Sequence, residues 1–190
     1  MAWVSTSPLV KTYTLEEFWE LPDPPDRSKF ELIAGVRYMT PPPEYLHENA
    51  VSRLVRFLAD YLRDSEDTGT LYVPRAGIWR KPNSWLEPDL FYVSAETQAR
   101  MEPNYRTTAD LVIEVISPGS AIYDRNTKSD TYAALGVKEL WLVNEAPKII
   151  EVRILHGNQF GPSLVFEIDD NLSSVVLPGF VVKVGAVFGD

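Results

Sequence analysis

Asp110-Leu111-Val112-Ile113-Glu114-Val115-Ile116 is a strand-length apolar run carrying two carboxylates. Its continuous apolarity predicts a strand buried on both faces of a central sheet. Side chains alternate along a strand, so 110, 112, 114 and 116 share one side. Asp110 and Glu114 thus project from the same face, about 13 Å apart at a rise of roughly 3.3 Å per residue. One of them can be central to a compact site, and the other lies at its edge. A charge in the middle of such a strand requires either a buried ion pair or a chemical task.

On either side the chain alternates helical and extended patterns. Thr14 with Glu17 reads as a capping box opening a short helix that runs to about Leu21. Lys29 to Thr40 alternates around Ala34-Gly35 and predicts a hairpin or bulged strand. Pro43 suits a first helical turn, and His47, Val51, Leu54 and Leu58 then fall on one face of a helix reaching about Arg63. Leu71 to Trp79 is β-rich, and Asp89 enters the short strand Leu90 to Val93 through Pro88. Asp124 and Gly136 bracket a helix as N-cap and C′ residues, with Lys128 and Tyr132 inside it. Lys138 to Asn144 is a third central strand with Trp141 and Val143 on one face. After Pro147, four strands are expected at 149–155, 164–168, 173–176 and 181–184, with turns at His156-Gly157, Asp169-Asp170 and Pro178-Gly179. The order predicts a mixed α/β (α+β) fold, helices flanking a central sheet, in a single domain over 1–190 with a core at about 12–145 and an antiparallel β tail at 148–190.

Composition removes several chemistries. The 190 residues contain no Cys, which excludes a disulfide scaffold, a thiolate metal site and a cysteine nucleophile. Two His, at 47 and 156, are too few for an imidazole zinc centre. A net charge of −9 is the wrong sign for a surface that grips nucleic acid over its whole extent, and leaves room only for a local basic groove. No stretch approaches the roughly 20 apolar residues of a membrane helix. Met1 to Lys11 lacks a basic-then-apolar signal pattern, so a cytoplasmic protein with no membrane association is expected.

The acids in strands are the candidate chemistry. Carboxylates converging in a cleft repel one another, and a divalent cation or a lysine resolves the conflict. All-oxygen donors suit Mg²⁺ or Mn²⁺ rather than zinc. Such an ion positions a water and offsets charge on a phosphoryl oxygen. Lys128, one turn after Asp124 and one turn before Tyr132, is the cationic companion that a short crossover would bring back over the strand ends. The residues alone leave it even with a solvent-facing lysine paired to Asp124. Asp89 has a turn-capping alternative, Asp110 a strand-end one and Tyr132 a packing one. Glu31 is either a third acid of the cleft or the partner of an arginine. His47 is either a core or cap histidine or a residue above the cleft. Arg53, Arg56 and Arg63 form a solvated helix face or contact phosphate. Trp79, Trp85 and Trp141 are core or interface residues ahead of stacking platforms.

Pro88-Asp89-Leu90, Asp110 through Ile116 with Ser117-Pro118, Tyr123-Asp124, Lys128, Tyr132-Ala133, Leu135-Gly136-Val137 and Glu139-Leu-Trp-Leu-Val143 together resemble the Uma family, described as "putative restriction endonucleases", once a domain of unknown function and abundant in cyanobacteria. Tyr13-Thr14-Leu-Glu-Glu-Phe18 and Phe30-Glu31-Leu-Ile-Ala-Gly35 match its opening. The resemblance implies the restriction-endonuclease-like fold of the PD-(D/E)XK superfamily, a Mg²⁺- or Mn²⁺-dependent endonuclease acting on nucleic acid, DNA foremost, and a homodimer. It implies that Asp89 and Glu114 ligate the metal, with the Val115 backbone carbonyl as a further ligand. The lysine expected two residues after the strand acid falls on Ile116, so the resemblance assigns its role to Lys128. Ala109 stands where the family places Pro. The missing Glu-x-Lys and the acidic total favour an alternative: a nuclease fold that binds nucleic acid or a protein without cutting.

Overall fold

The computed structural model describes residues 10–26, 28–116 and 124–189, with the side chains of Asp124 and Arg125 outside that description. Ser117, Pro118, Tyr123 and the proposed capping side chain of Asp124 therefore lie outside the described residues. Helix α1, Leu15–Trp19, opens on the expected capping box, with Thr14 and Glu17 exchanging side chain-to-backbone hydrogen bonds. Strands β1, Lys29–Ile33, and β2, Val36–Thr40, form the expected hairpin, closed by Ala34 at φ 49° and Gly35 at φ 83°. Two successive positive φ values give a two-residue turn whose twist matches its strands.

Helix α2, Tyr45–Asp64, starts after an extended N-cap at Glu44, so Pro43 precedes the helix instead of entering its first turn. The β-rich stretch divides into β3, Thr70–Tyr72, and β4, Ile78–Arg80, which join different sheets. Strands β5, Ser84–Leu86, and β6, Leu90–Val93, follow. Helix α3, Ala95–Arg100, is capped by Ser94 and was not expected. The central strand is β7, Leu111–Ile116, buried throughout. A π-helical turn, Asp124–Lys128, leads into α4, Ser129–Ala134, and the third central strand is β8, Glu139–Asn144.

The large sheet has the order β10-β9-β8-β7-β6-β3, where β9 is Ile149–His156 and β10 Gln159–Phe160, and β11, Leu164–Phe166, also pairs with β9. Among the described residues, β7–β8 is the one parallel pair within it. The expected β tail is thus partly a continuation of the central sheet. A second sheet has the order β2-β1-β5-β4.

One face of the large sheet presents Leu90, Ile113, Val115, Trp141 and Val143 to Ala50, Leu54 and Leu58 of α2. Burying one such side chain contributes about 1.5–3 kcal/mol. The opposite face places Phe91, Val112, Ile116 and Leu142 against Ile33, Ile78, Leu86 and Tyr132. Glu114, between Val112 and Ile116, belongs to this second face.

The chain ends differently from expectation. Strand β12 is Asn171–Ser173, not 173–176, because the backbone N–H groups of Val175 and Val176 donate to the Glu139 carboxylate and are lost to any ladder. Strand β13, Val181–Lys183, passes directly into helix α5, Val184–Phe188, whose Val184 and Val187 are buried in the core shared with α2. Among the described residues no helix is long and apolar enough to cross a membrane.

Candidate active site

Strands β6 and β7 pair with Leu90 opposite Ile113, which continues to Asp89 opposite Glu114. The two acids of widely separated motifs thus become cross-strand neighbours at the end where β6 begins. Asp89 Oδ2 accepts the Val115 N–H at 2.8 Å and the His47 Nε2–H at 3.0 Å. Lys29 Nζ stands 3.8 Å from Oδ1, too far for a hydrogen bond. Burial alone would raise this carboxyl; the His47 hydrogen bond and the charges of Lys29 and Lys128 outweigh it and hold its pKa down to about 2. His47, on the first turn of α2, loses cationic character to burial, but the Asp89 hydrogen bond and the charges of Asp89 and Glu145 raise it above the usual histidine value.

Lys128 ends the π-helical turn and is 1 % exposed. Its Nζ lies 3.0 Å from Glu114 Oε1 and 3.0 Å from Glu31 Oε2. Tyr132, one turn on, donates its hydroxyl to the same Glu114 oxygen at 2.6 Å. Glu31 Oε1 in turn accepts the Glu87 N–H at 2.8 Å. One buried amine therefore joins the small sheet, through Glu31, to the large sheet, through Glu114. The open alternatives resolve in geometry: Lys128 points inward, Tyr132 reaches Glu114, Glu31 partners a lysine, and His47 sits above the cleft on Asp89. The cleft over this group has a volume of about 930 Å³, with His47, Arg75, Asp89, Glu114 and Lys128 among its lining residues, a size in the range of ligand sites.

Asp110 is elsewhere. It accepts the Ser94 N–H at 2.6 Å and the Thr97 hydroxyl at 2.8 Å, and pairs with Lys138 at 2.5 Å. The site-edge alternative is thereby corrected: Asp110 anchors the cap of α3 at the far end of β7. Burial raises its carboxyl, but Lys138, Ser94 and Thr97 together bring it below the ordinary value of 3.8. A depressed folded pKa contributes stability that is complete above the unfolded value and lost as pH falls through the folded one. Urea titrations between about pH 6 and pH 2 should show Asp110→Asn less stable than wild type at pH 6, with a shallower loss on acidification; parallel curves would contradict this.

Cations at the cleft are not those of the α2 arginines. Arg63 is engaged by Asp60 at 2.8 Å and Asp64 at 3.0 Å, and Arg56 lies 5.1 Å from the Phe57 ring centroid. Lys29 and Arg75 line the cleft instead. Lys29 carried a legible signal: it sits two residues from Glu31 on one strand and so shares its face. Glu87, next to Pro88-Asp89, carries no comparable signal in the sequence. Its backbone carbonyl accepts from Lys29 Nζ at 2.5 Å, its Oε1 accepts from Trp85 Nε1 at 3.2 Å, and burial pushes its carboxyl up. Trp141 is core, donating Nε1–H to Glu139 at 2.6 Å. Trp79 and Trp85 form an aromatic cluster with Trp19.

Comparison with known proteins bears on the family and the fold. Residues 15–185 match the family model Uma2, described as "Putative restriction endonuclease". A solved structure described as that of "a putative nuclease belonging to DUF820 from Anabaena variabilis" superposes with a TM-score of 0.76 at 17 % identity, covering 93 % of this chain and 97 % of that one. That likeness carries the fold. No curated protein matches.

Proposed function

Because the chain belongs to the Uma2 family of "Putative restriction endonuclease" proteins, we propose that it is a Mg²⁺- or Mn²⁺-dependent endonuclease hydrolysing phosphodiester bonds, with DNA as its substrate. The observation carrying this reading is the convergence of Asp89, Glu114 and Lys128 on one cleft. The donor set fits a hard cation: two carboxylates on adjacent strands, one held ionised at neutral pH, and the carbonyl of Val115, whose own N–H is tied to Asp89. Among the described residues no trio of His, Cys, Asp or Glu forms a metal cluster, so a ligand set would be completed by the backbone, water or a substrate phosphate. Held by these residues, such an ion would offset charge on a phosphoryl oxygen and lower the pKa of a water. His47 occupies Asp89 Oδ2 and leaves Oδ1 toward Lys29. Lys128, immobilised between Glu31 and Glu114, orients the attacking water and offsets phosphate charge. Lys29 and Arg75 supply local positive charge within an acidic protein.

Nicking of plasmid DNA that requires Mg²⁺ or Mn²⁺ and stops with chelator is the expected result. Asp89→Asn and Glu114→Gln should each lower the rate by about 10²–10³-fold, the scale of removing one electrostatic stabiliser. An unchanged rate in Glu114→Gln would overturn the proposal. The second reading, binding without cutting, draws on Ile116 in place of the superfamily lysine. Calorimetry showing no Mn²⁺ uptake at millimolar concentration would select it.

A further inference from the structure

Beside the cleft lies a second cavity of about 160 Å³, walled by Phe18, Trp19, Phe30 and Trp85, with Arg75 and Glu87 at its boundary. The same Arg75 and Glu87 line the large cleft, so the two spaces adjoin. Glu87 and Asp89 are two residues apart, their Cα atoms at most about 7 Å from one another. We propose that this cavity is a nucleobase subsite selective for guanine, placed next to the phosphate that the cleft would receive; the assignment rests on the nuclease reading above and adds to it the base recognised.

The walls have the chemistry of base stacking. Trp19 is 48 % exposed although its ring meets Trp79 at 5.3 Å and Trp85 at 6.0 Å, both edge-on. The neighbours fix the indole while part of its surface stays open, and base–aromatic stacking tolerates any base. Selectivity requires a polar group in the cavity. Glu87 Oε2 is buried and has no hydrogen-bond partner among the described residues, with Arg75 Nε at 3.8 Å. A buried acceptor left without a donor is costly, and a ligand that brings donors removes that cost. The Watson–Crick edge of guanine offers two adjacent donors, N1–H and N2–H, one for the open Oε2 and one for Oε1, which would take it beside the Trp85 Nε1–H. Adenine and cytosine set a ring acceptor beside their amino group, and thymine or uracil flanks its N–H with carbonyls; each presents repulsion to the carboxylate. The Glu87 backbone is itself pinned by the candidate site, its N–H on Glu31 and its carbonyl on Lys29, so the base and the scissile phosphate would be held in fixed relation. A base seated here is out of the duplex stack, so the substrate enters as a single strand or with one nucleotide turned out.

Tryptophan fluorescence of the full chain, titrated without metal with guanosine 5′-monophosphate and thymidine 5′-monophosphate, reads the subsite independently of cleavage. Saturable quenching with at least tenfold tighter guanosine binding is expected. Glu87→Gln should bring the guanosine affinity down to the thymidine level, and Trp19→Ala should weaken both about tenfold. Equal affinities for the two nucleotides, or a guanosine affinity unchanged in Glu87→Gln, overturns the subsite. If Trp19→Ala loses its cooperative unfolding, Glu87→Gln alone decides. Metal-dependent cutting of single-stranded oligonucleotides irrespective of guanine content sinks the subsite and leaves the nuclease reading standing. Selective guanosine binding with no cutting of any nucleic acid does the reverse.

Discussion

Lys128→Met is expected to lower the thermal midpoint by about 6–20 °C, corresponding to about 3–5 kcal/mol in a chain of this size, and to abolish cleavage. The amine is almost wholly buried and stands 3.0 Å from both Glu31 and Glu114. Methionine fills the same volume, so the loss isolates charge from packing. What remains is two carboxylates facing each other away from water, and leaving a buried charge uncompensated costs more than the pair gained. The double variant Lys128→Met/Glu31→Gln removes one of those charges and should recover part of the midpoint, because residues sharing one network are non-additive. It should not recover cleavage, since the amine proposed to orient water is still absent. Recovery of both would make Lys128 a structural tie alone. A midpoint unchanged in the single variant would mean that the amine contributes nothing to joining the two sheets.

Lys128 also shows how far the sequence reaches. The end of its helix was legible from Gly136, which lies at φ 81°, and Glu114 from its place in an apolar strand, but the π-helical turn that precedes Ser129 was not. Local patterns with short-range causes held well: the capping box at Thr14, the hairpin turn at Ala34-Gly35, the helical face through Leu54 and Leu58. The partnership of Lys128 with Glu31 spans 97 residues and two sheets, and no periodicity encodes which acid meets which amine. The α2 arginines were conspicuous as a cluster, yet Arg63 is engaged by acids of its own helix. Of the cations that do line the cleft, Lys29 is marked only by sharing a strand face with Glu31, and Arg75 comes from a loop where a single cation looks unremarkable. The apolar segment Val184–Phe188 has strand-like composition but folds as a helix, because its packing partner is α2 and not a neighbouring strand. Tertiary burial overrode propensity there.

Glu139→Ala should destabilise the protein by about 3–5 kcal/mol while leaving the chemistry of the folded fraction intact. Glu139 is fully buried in β8 and, like Glu114, is an acid inside a central strand. By burial alone the two are indistinguishable, but their partners differ. Oε2 of Glu139 accepts the Ser174 hydroxyl at 2.8 Å, the Val175 N–H at 2.9 Å and the Val176 N–H at 3.2 Å, and Oε1 accepts Trp141 Nε1–H at 2.6 Å. All four are donors and none is a cation, so the carboxylate terminates backbone groups that no strand ladder satisfies. Deleting it strands the buried Ser174 hydroxyl and Trp141 Nε1–H at roughly 1–3 kcal/mol each, less than additively because they share one carboxylate, and frees the part-buried Val175 N–H, while the Val176 N–H keeps Ser174 Oγ at 3.2 Å. The segment from Ser174 to Leu177, which leads into β13 and α5, should open first, and limited proteolysis should cut there before the rest of the chain unfolds. Glu139→Gln keeps one acceptor but turns an amide N–H₂ toward donors, so it should fall between wild type and alanine. Wild-type stability in Glu139→Ala would refute the pinning role. A cleavage rate per folded molecule that drops as far as in Glu114→Gln would instead draw Glu139 into the site, against its position on the sheet face that packs on α2.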